Sequence, residues 1–371
     1  MRIPFNDFRR QWLETSGDTL DAVEAVGANG WYILGSEVLK FEADLATTWG
    51  VNHAIGVASG LDAIEISLRA LGCGHGEKVL TTPVTAFATT LAIVKLGATP
   101  VFCDVDAYGL IDLGRCEAAL RQDRQIRFFV PVHLYGHSLD IGRLRRMRDE
   151  FDLSIVEDCA QSILACHSGS ATGTAGQLAA TSFYPTKNLG GLGDGGAILT
   201  SQERFASSCR VLRDYGQNGK YQHELIGYNS RLDELHAGIL RRAHLPRLRK
   251  WTRRRKEIAR AYGEGVQHPG ISLPGAPSGS DSCWHLYPVF VDPNRKREFM
   301  EHMHSREVVV AEHYPTPVFE QKAIQTVKYE VVGGVERAKQ LCHSEVSLPI
   351  HPYLTDAEVA AVIDACNAWS A

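Results

Sequence analysis

The chain has 371 residues, 44% of them hydrophobic and 22% charged, with a net charge of −4. That balance is ordinary for a globular protein with a sizeable core, and it gives no reason to expect nucleic acid as a partner. No apolar run approaches the ~20 residues of a membrane-spanning helix, the opening stretch is too mixed in charge for a signal peptide, and the nine cysteines stand singly with no C-x-x-C pair, so a reduced, cytoplasmic chain without a metal site is expected.

From about residue 50 to residue 200, short β-rich runs alternate with helical patterns. "HAIGVASG" leads into "LDAIEISLRALG", whose Leu61, Ile64, Leu68 and Leu71 recur at helical spacing. "KVLTTP", the helix-like "AFATTLAIVKLG", "TPVFCDV", "IRFFVPVHLYG", the charged helix around "IGRLRRMRDEF" and "LSIVEDCA" follow. Strand and helix in alternation signal an α/β fold, a mostly parallel sheet with helices on its faces. Ligands of such sheets collect beyond the carboxyl ends of the strands. That rule selects Ser59–Gly60, Pro83–Phe87, His133–Gly136, Asp158–Gln161 and the stretch "SFYPTKNLGGLGDGGAI".

Near residue 240 the chain changes character. "RRAHLPRLRKWTRRRKEIARAY" is basic and helical, and beyond it "CWHLYPVFV", "REVVVAEHYP" and "VSLPIHPYLTDAEVAAVIDAC" read as a smaller α+β unit. A large domain over residues 1–245 and a small one over 246–371 are therefore expected. The basic segment suits a solvated connecting helix. A sharper alternative has one of Arg253, Arg254 and Arg255 meeting an anionic substrate.

Gly191, Gly193 and Gly196 formally spell G-x-G-x-x-G, but they precede the probable strand "AILTS" instead of following a strand and opening a helix. A dinucleotide site is rejected on that ground; the glycines instead let the backbone turn sharply behind Lys187. An amine on such a loop in a partly desolvated cleft has a lowered pKa and can attack an aldehyde. Asp158 follows an apolar run, where a parallel strand leaves it at the ligand edge, although Asp also commonly caps helices and turns. A lysine for a Schiff base and an acid to keep a pyridine nitrogen protonated are what pyridoxal 5'-phosphate needs. Ser59 and Gly60 before an amphipathic helix suit either its phosphate or a plain N-cap by Ser59 or Asp62. Phe87 offers a face to the ring or a core contact.

Taken together, "WYILGSEVLKFE", "VASGLDAIEISLRALG", "GATPVFCDV", "PVHLYGHSLD", "VEDCAQS", "SFYPTKNLGGLGDGGAI" and "LRDYGQNGKYQHELIGYNSRLDELHAGIL" resemble the DegT-type, pyridoxal-phosphate-dependent nucleotide-sugar aminotransferases. The resemblance implies the aspartate-aminotransferase-like fold, with a mostly parallel seven-stranded sheet in the large domain. It implies that Lys187 holds the cofactor covalently and moves protons, that Asp158 pairs with the pyridine nitrogen, that Gln161 lies near the phenolic oxygen, and that Phe87 stacks on the ring. The backbone at Gly60 and Leu61 and the hydroxyl of Ser182 would meet the phosphate. Asn229 would reach it from the neighbouring subunit, making a homodimer with shared sites. Tyr184, His313 and Tyr314 would line the sugar pocket. "KYQHELIGYNSRLDEL" is most similar to the group acting at carbon 3 of dTDP-linked 3-keto-6-deoxyhexoses, with L-glutamate as donor and pyridoxamine 5'-phosphate as the intermediate form of the cofactor. Leu61 departs from the threonine common in the family, and Glu307, Val308 and Ala311 replace small residues before His-Tyr-Pro. A 4-keto-sugar aminotransferase or a sugar dehydratase of the same family is the alternative; the dehydratases carry histidine in place of the lysine.

Overall fold

The computed structural model describes residues 2–370. Helices α1 (Phe8–Asn29) and α2 (Ser36–Trp49) come first. The Asp7 side chain caps α1 by accepting from the Arg10 N–H at 2.9 Å. Gly30 ends that helix at φ 68°, a left-handed conformation that glycine adopts without steric cost. Strands β1 (His53–Val57), β2 (Lys78–Thr81), β3 (Thr99–Cys103), β4 (Ile126–Val130) and β5 (Ser154–Asp158) follow, with α3 (Gly60–Ala70) and α4 (Phe87–Lys95) between the first three. Two short strands, β6 (Cys166–His167) and β7 (Ser170–Ala171), precede β8 (Leu178–Ser182) and β9 (Gly196–Thr200). The remainder supplies β10 (Ser280–Asp281), β11 (Tyr287–Phe290), β12 (Glu330–Val332) and β13 (Glu345–Leu348).

The large sheet runs β1-β9-β8-β5-β4-β2-β3-β12. Only β9 runs against its neighbours, pairing antiparallel with β1 and β8; β8, β5, β4, β2, β3 and β12 are parallel. Every residue of β3 and β9 is buried, as expected of strands covered by helices on both faces. The seven strands anticipated are all present, and β12 adds an eighth at the β3 edge, in register from Glu330 beside Val101. Three residues are too few to show a period in sequence, so this strand is defined by its backbone pairing alone.

Apolar side chains on both faces of the sheet form its cores; one of them also takes in Val318, Phe319, Leu341 and Cys342 from the C-terminal part. A separate core joins Ile3 to Tyr262, Phe299, Met303, Val362 and Trp369 around the two-stranded β11-β13 sheet. All nine cysteines are unpaired. Among the described residues no helix is long and apolar enough to cross a membrane.

The basic segment is spread along the helix Leu248–Gly265 and the turns before it. Arg241 and Arg242 pair with Glu37, Arg247 with Asp18, Lys250 with Glu14, Arg254 with Asp356 and Lys256 with Asp281. These side chains brace α1, α2 and the C-terminal unit against one another. Arg255 is different: it is buried and pairs with none of them.

Candidate active site

The parallel strands β5 and β8 are neighbours in register, Asp158 beside Ala180, so Asp158 and Ser182 leave the sheet at the same edge. Asp158 is only 5% exposed. Its Oδ2 accepts from Thr89 Oγ1 at 2.8 Å and its Oδ1 from the Ala160 N–H at 3.0 Å. Thr89, on α4, is in turn 2.9 Å from the hydroxyl of Thr85. The carboxylate is thereby fixed in place while retaining free acceptor capacity. Sequence reasoning missed Thr89; its only trace was a polar pair inside the otherwise apolar "AFATTLAIVK".

Lys187 follows β8 in a turn that its own N–H closes on the Tyr184 carbonyl at 2.9 Å. Burial pulls its amine down to about 8, and the negative charge of Asp158 pulls the other way. The glycines behind it do what the sequence required. A side chain at Gly190 would meet the Tyr184 carbonyl at 3.0 Å, and the Gly191 N–H donates to the Phe183 carbonyl at 2.7 Å. Gly196 opens β9, and a Cβ there would come within 2.7 Å of the Gly60 nitrogen, so β9 passes directly beneath the start of α3.

That start is a cup of free backbone N–H groups. Ser59 caps α3 by accepting from the Asp62 N–H at 3.1 Å. The N–H groups of Gly60 and Leu61 lie in the first turn, where the helix supplies no acceptor. A Cβ on Gly60 would be 2.7 Å from that of Ser182, so glycine is what brings the cup against the Ser182 hydroxyl. Leu61 is partly buried beside it. Phe87, partly buried at the first turn of α4, packs against the adjoining core.

The opposite wall comes from the loop after β4 and from the C-terminal unit. Gln161 Oε1 accepts from the Tyr135 N–H at 2.7 Å, and its amide donates to the Tyr314 hydroxyl at 3.2 Å. Tyr135 takes φ 61° and donates its hydroxyl to the His313 carbonyl at 2.7 Å. Burial pushes the Tyr314 phenol up, and Asp158 adds to the effect. Burial lowers His313 to about 4, with Lys187 as the second cause. Its Nδ1 lies 3.0 Å from Ser347 Oγ. His285, which the sequence reading passed over, is also held neutral by burial and by Lys187.

The structure thus gathers Asp158, Gln161, Lys187, His313 and Tyr314 at one place, with Gly60, Leu61 and Ser182 beside it. Two residues lie apart. Tyr184 is exposed and borders an outer groove with Phe8, Trp12 and Leu192. Asn229 is exposed, and its side chain accepts from Arg231 at 2.6 Å.

A profile of the DegT/DnrJ/EryC1/StrS aminotransferase family matches residues 14–367. The chain belongs to that family. It is 39% identical to the dTDP-3-amino-3,4,6-trideoxy-alpha-D-glucose transaminase of Streptomyces venezuelae, over 100% of this chain and 96% of that protein. It is 38% identical to the dTDP-3-amino-3,6-dideoxy-alpha-D-galactopyranose transaminase of Aneurinibacillus thermoaerophilus, over 99% of each. Its fold superposes on the crystal structure of S. venezuelae DesV, solved with a ketimine intermediate, with a TM-score of 0.94 at 39% identity, covering 99% of this chain and 98% of that one. The expected aspartate-aminotransferase-like fold and the aminotransferase family are therefore both met in this chain.

The family uses pyridoxal phosphate, and the residues present suit it. A desolvated amine, a fixed carboxylate with open acceptor sites, and a helix N-terminus that only a glycine brings against a serine hydroxyl match the aldehyde, the ring nitrogen and the phosphate respectively.

Proposed function

We propose that this aminotransferase moves the amino group of L-glutamate to carbon 3 of a dTDP-linked 3-keto-6-deoxyhexose, giving a 3-amino-3,6-dideoxyhexose. The observation that carries the reading is Lys187, an amine brought down to about 8 and facing Asp158 at the sheet edge. Both named relatives make 3-amino sugars on dTDP, in line with "KYQHELIGYNSRLDEL".

Lys187 would hold the cofactor, and once displaced by the donor it would take the proton from the amino acid's α-carbon and return it on the other side of the reaction. A pKa near working pH suits both directions. Asp158, positioned by Thr89, would keep the ring nitrogen protonated, Gln161 would face the phenolic oxygen and Phe87 the ring. Gly60, Leu61 and Ser182 would bind the phosphate. Bound pyridoxal phosphate would supply the electron sink for the carbanion. His313, Tyr314 and, at the outer groove, Tyr184 would contact the sugar.

The active unit would be a cytoplasmic homodimer. Trp12, Leu13, Leu20, Trp31, Tyr32 and Ile226 are exposed, an apolar surface that a second copy would cover. Asn229, which faces solvent here, would complete the partner's phosphate site. The retained lysine speaks against a dehydratase.

The test is the visible spectrum of the purified protein with pyridoxal phosphate. Wild type should show a lysine-dependent band that L-glutamate bleaches and a 3-keto sugar nucleotide restores. Restoration by a 4-keto sugar nucleotide alone would move the reading to carbon 4. A band that glutamate leaves unchanged would end it.

A further inference from the structure

Behind Lys187 lies a cation without an anion. Arg255 is 5% exposed. Its Nη1 donates to the carbonyls of His285 and Ile350, each at 3.2 Å, and reaches that of Trp284 at 3.5 Å. Its buried Nε has no acceptor, and among the described residues no carboxylate lies within ion-pair distance of it. Burial without a counter-charge pulls the guanidinium down to about 10. A buried N–H left unsatisfied costs stability, and an uncompensated buried charge costs more. Arg241, Arg242, Arg247 and Arg254 of the same segment pair with carboxylates, and Arg253 is exposed to solvent, so the buried bare one calls for an explanation.

The space beside it supplies one. A cavity of about 130 Å³ is lined by Arg255, His285, His313, Thr186 and Asn6. A second recess is lined by Arg255 together with Thr186, Lys187 and Asn188, so the guanidinium and the amine share one wall; its one carboxylate, Asp7, is paired with Arg10. At roughly 10–15 Å³ for each water-sized occupant, the first cavity holds about ten such atoms. That is the size of an amino acid such as glutamate and far below that of a sugar nucleotide. The other titratable groups on the wall, His285, His313 and His351, are kept neutral by burial, so Arg255 is the positive charge of this wall.

We propose that Arg255 is the carboxylate subsite of the amino donor: its guanidinium, which borders both cavities, binds one carboxylate of L-glutamate while the donor's amine is presented to the Lys187 side. This rests on the aminotransferase reading above and adds to it the residue that separates the donor from the far larger sugar nucleotide. It gives Arg255 a different role from the expected contact with the substrate's diphosphate, and Arg254 is already engaged with Asp356.

The experiment follows the visible cofactor band of the holoenzyme in single turnovers with L-glutamate. In Arg255→Gln the half-saturating glutamate concentration should rise about 30-fold or more, with the band position and cofactor affinity unchanged and Arg255→Lys falling between. Glutarate, a dicarboxylate with no amine, should perturb the wild-type spectrum and lose that effect in Arg255→Gln. Because Arg255 also binds three carbonyls and its loss can prevent folding, a second arm uses wild type alone: the α-amide and the side-chain amide of glutamate are compared with glutamate, and at least one should be about 30-fold weaker. An unchanged half-saturation in Arg255→Gln, or two amides as good as glutamate, overturns the proposal and leaves the aminotransferase reading standing. If glutamate fails to bleach wild type, that reading falls and the subsite with it.

Discussion

Two buried carboxylates leave the end of β5 on opposite faces of the sheet, Glu157 into a closed polar pocket and Asp158 into the cleft with Lys187. A carboxylate has about four acceptor positions. Glu157 uses them all: Oε2 meets His133 Nε2 at 2.9 Å and the Gly173 N–H at 3.0 Å, and Oε1 meets the N–H groups of Ala175 at 2.6 Å and Gly176 at 2.8 Å. Burial pushes this acid up, but His133 and the amides hold it below its ordinary value. Cys159 completes a buried cluster of possible metal ligands, yet the two oxygens of Glu157 are already occupied. Asp158 is held by two donors and keeps the rest of its capacity open. One region is complete within this chain; the other has room for a partner that the chain does not provide.

The comparison can be broken most severely at the open side. Lys187→Ala should lower transamination by about 10³-fold or more and remove the lysine-dependent visible band, while the thermal transition stays near that of wild type. Asp158→Asn and Glu157→Gln should then separate cleanly. The first should cost turnover about a hundredfold with little loss of stability. The second, which turns two acceptors for backbone N–H groups into a competing donor, should cost about 3 kcal/mol in denaturant unfolding with the cofactor spectrum unchanged. Equal effects of the two on turnover would show that the regions are not independent.

The pH dependence sharpens the same contrast. Cofactor capture by the apoprotein needs the neutral amine, so its rate should rise with pH and level off above about 8, not near the ordinary lysine value. Between those two values an unfolded chain still binds the proton that the folded one has released, so this lysine makes stability rise with pH across that window. Thr89→Val should lower turnover only about fivefold, the loss of one charge-assisted hydrogen bond to Asp158. Smallest of all, Arg253→Gln on the basic helix should leave the KM for the sugar nucleotide within about twofold, as expected for a surface charge.

Strand positions, the α/β class and the ligand edge of the sheet were legible because apolar runs alternate with helical periodicity throughout residues 50–200. Lys187, Asp158 and Ser59–Gly60 could be found because each lies at or within a few residues of the end of a strand, and strand ends in such sheets converge. Thr89, Tyr135 and His285 left no comparable mark. Each acts through a contact far along the chain, as Tyr135 does with Gln161 and His313. β12 escaped because three residues carry no period.

The sequence by itself determined the order of the elements, the placing of Lys187 and Asp158 at the sheet edge, and the glycines that let the backbone close behind them, since all of these depend on local chemistry and spacing. Only the tertiary structure decided which charges are neutralised. In sequence Arg254 and Arg255 are equivalent members of one basic run. Helical geometry turns one toward Asp356 at the surface and the other into the interior, where packing leaves its Nε without an acceptor beside Lys187.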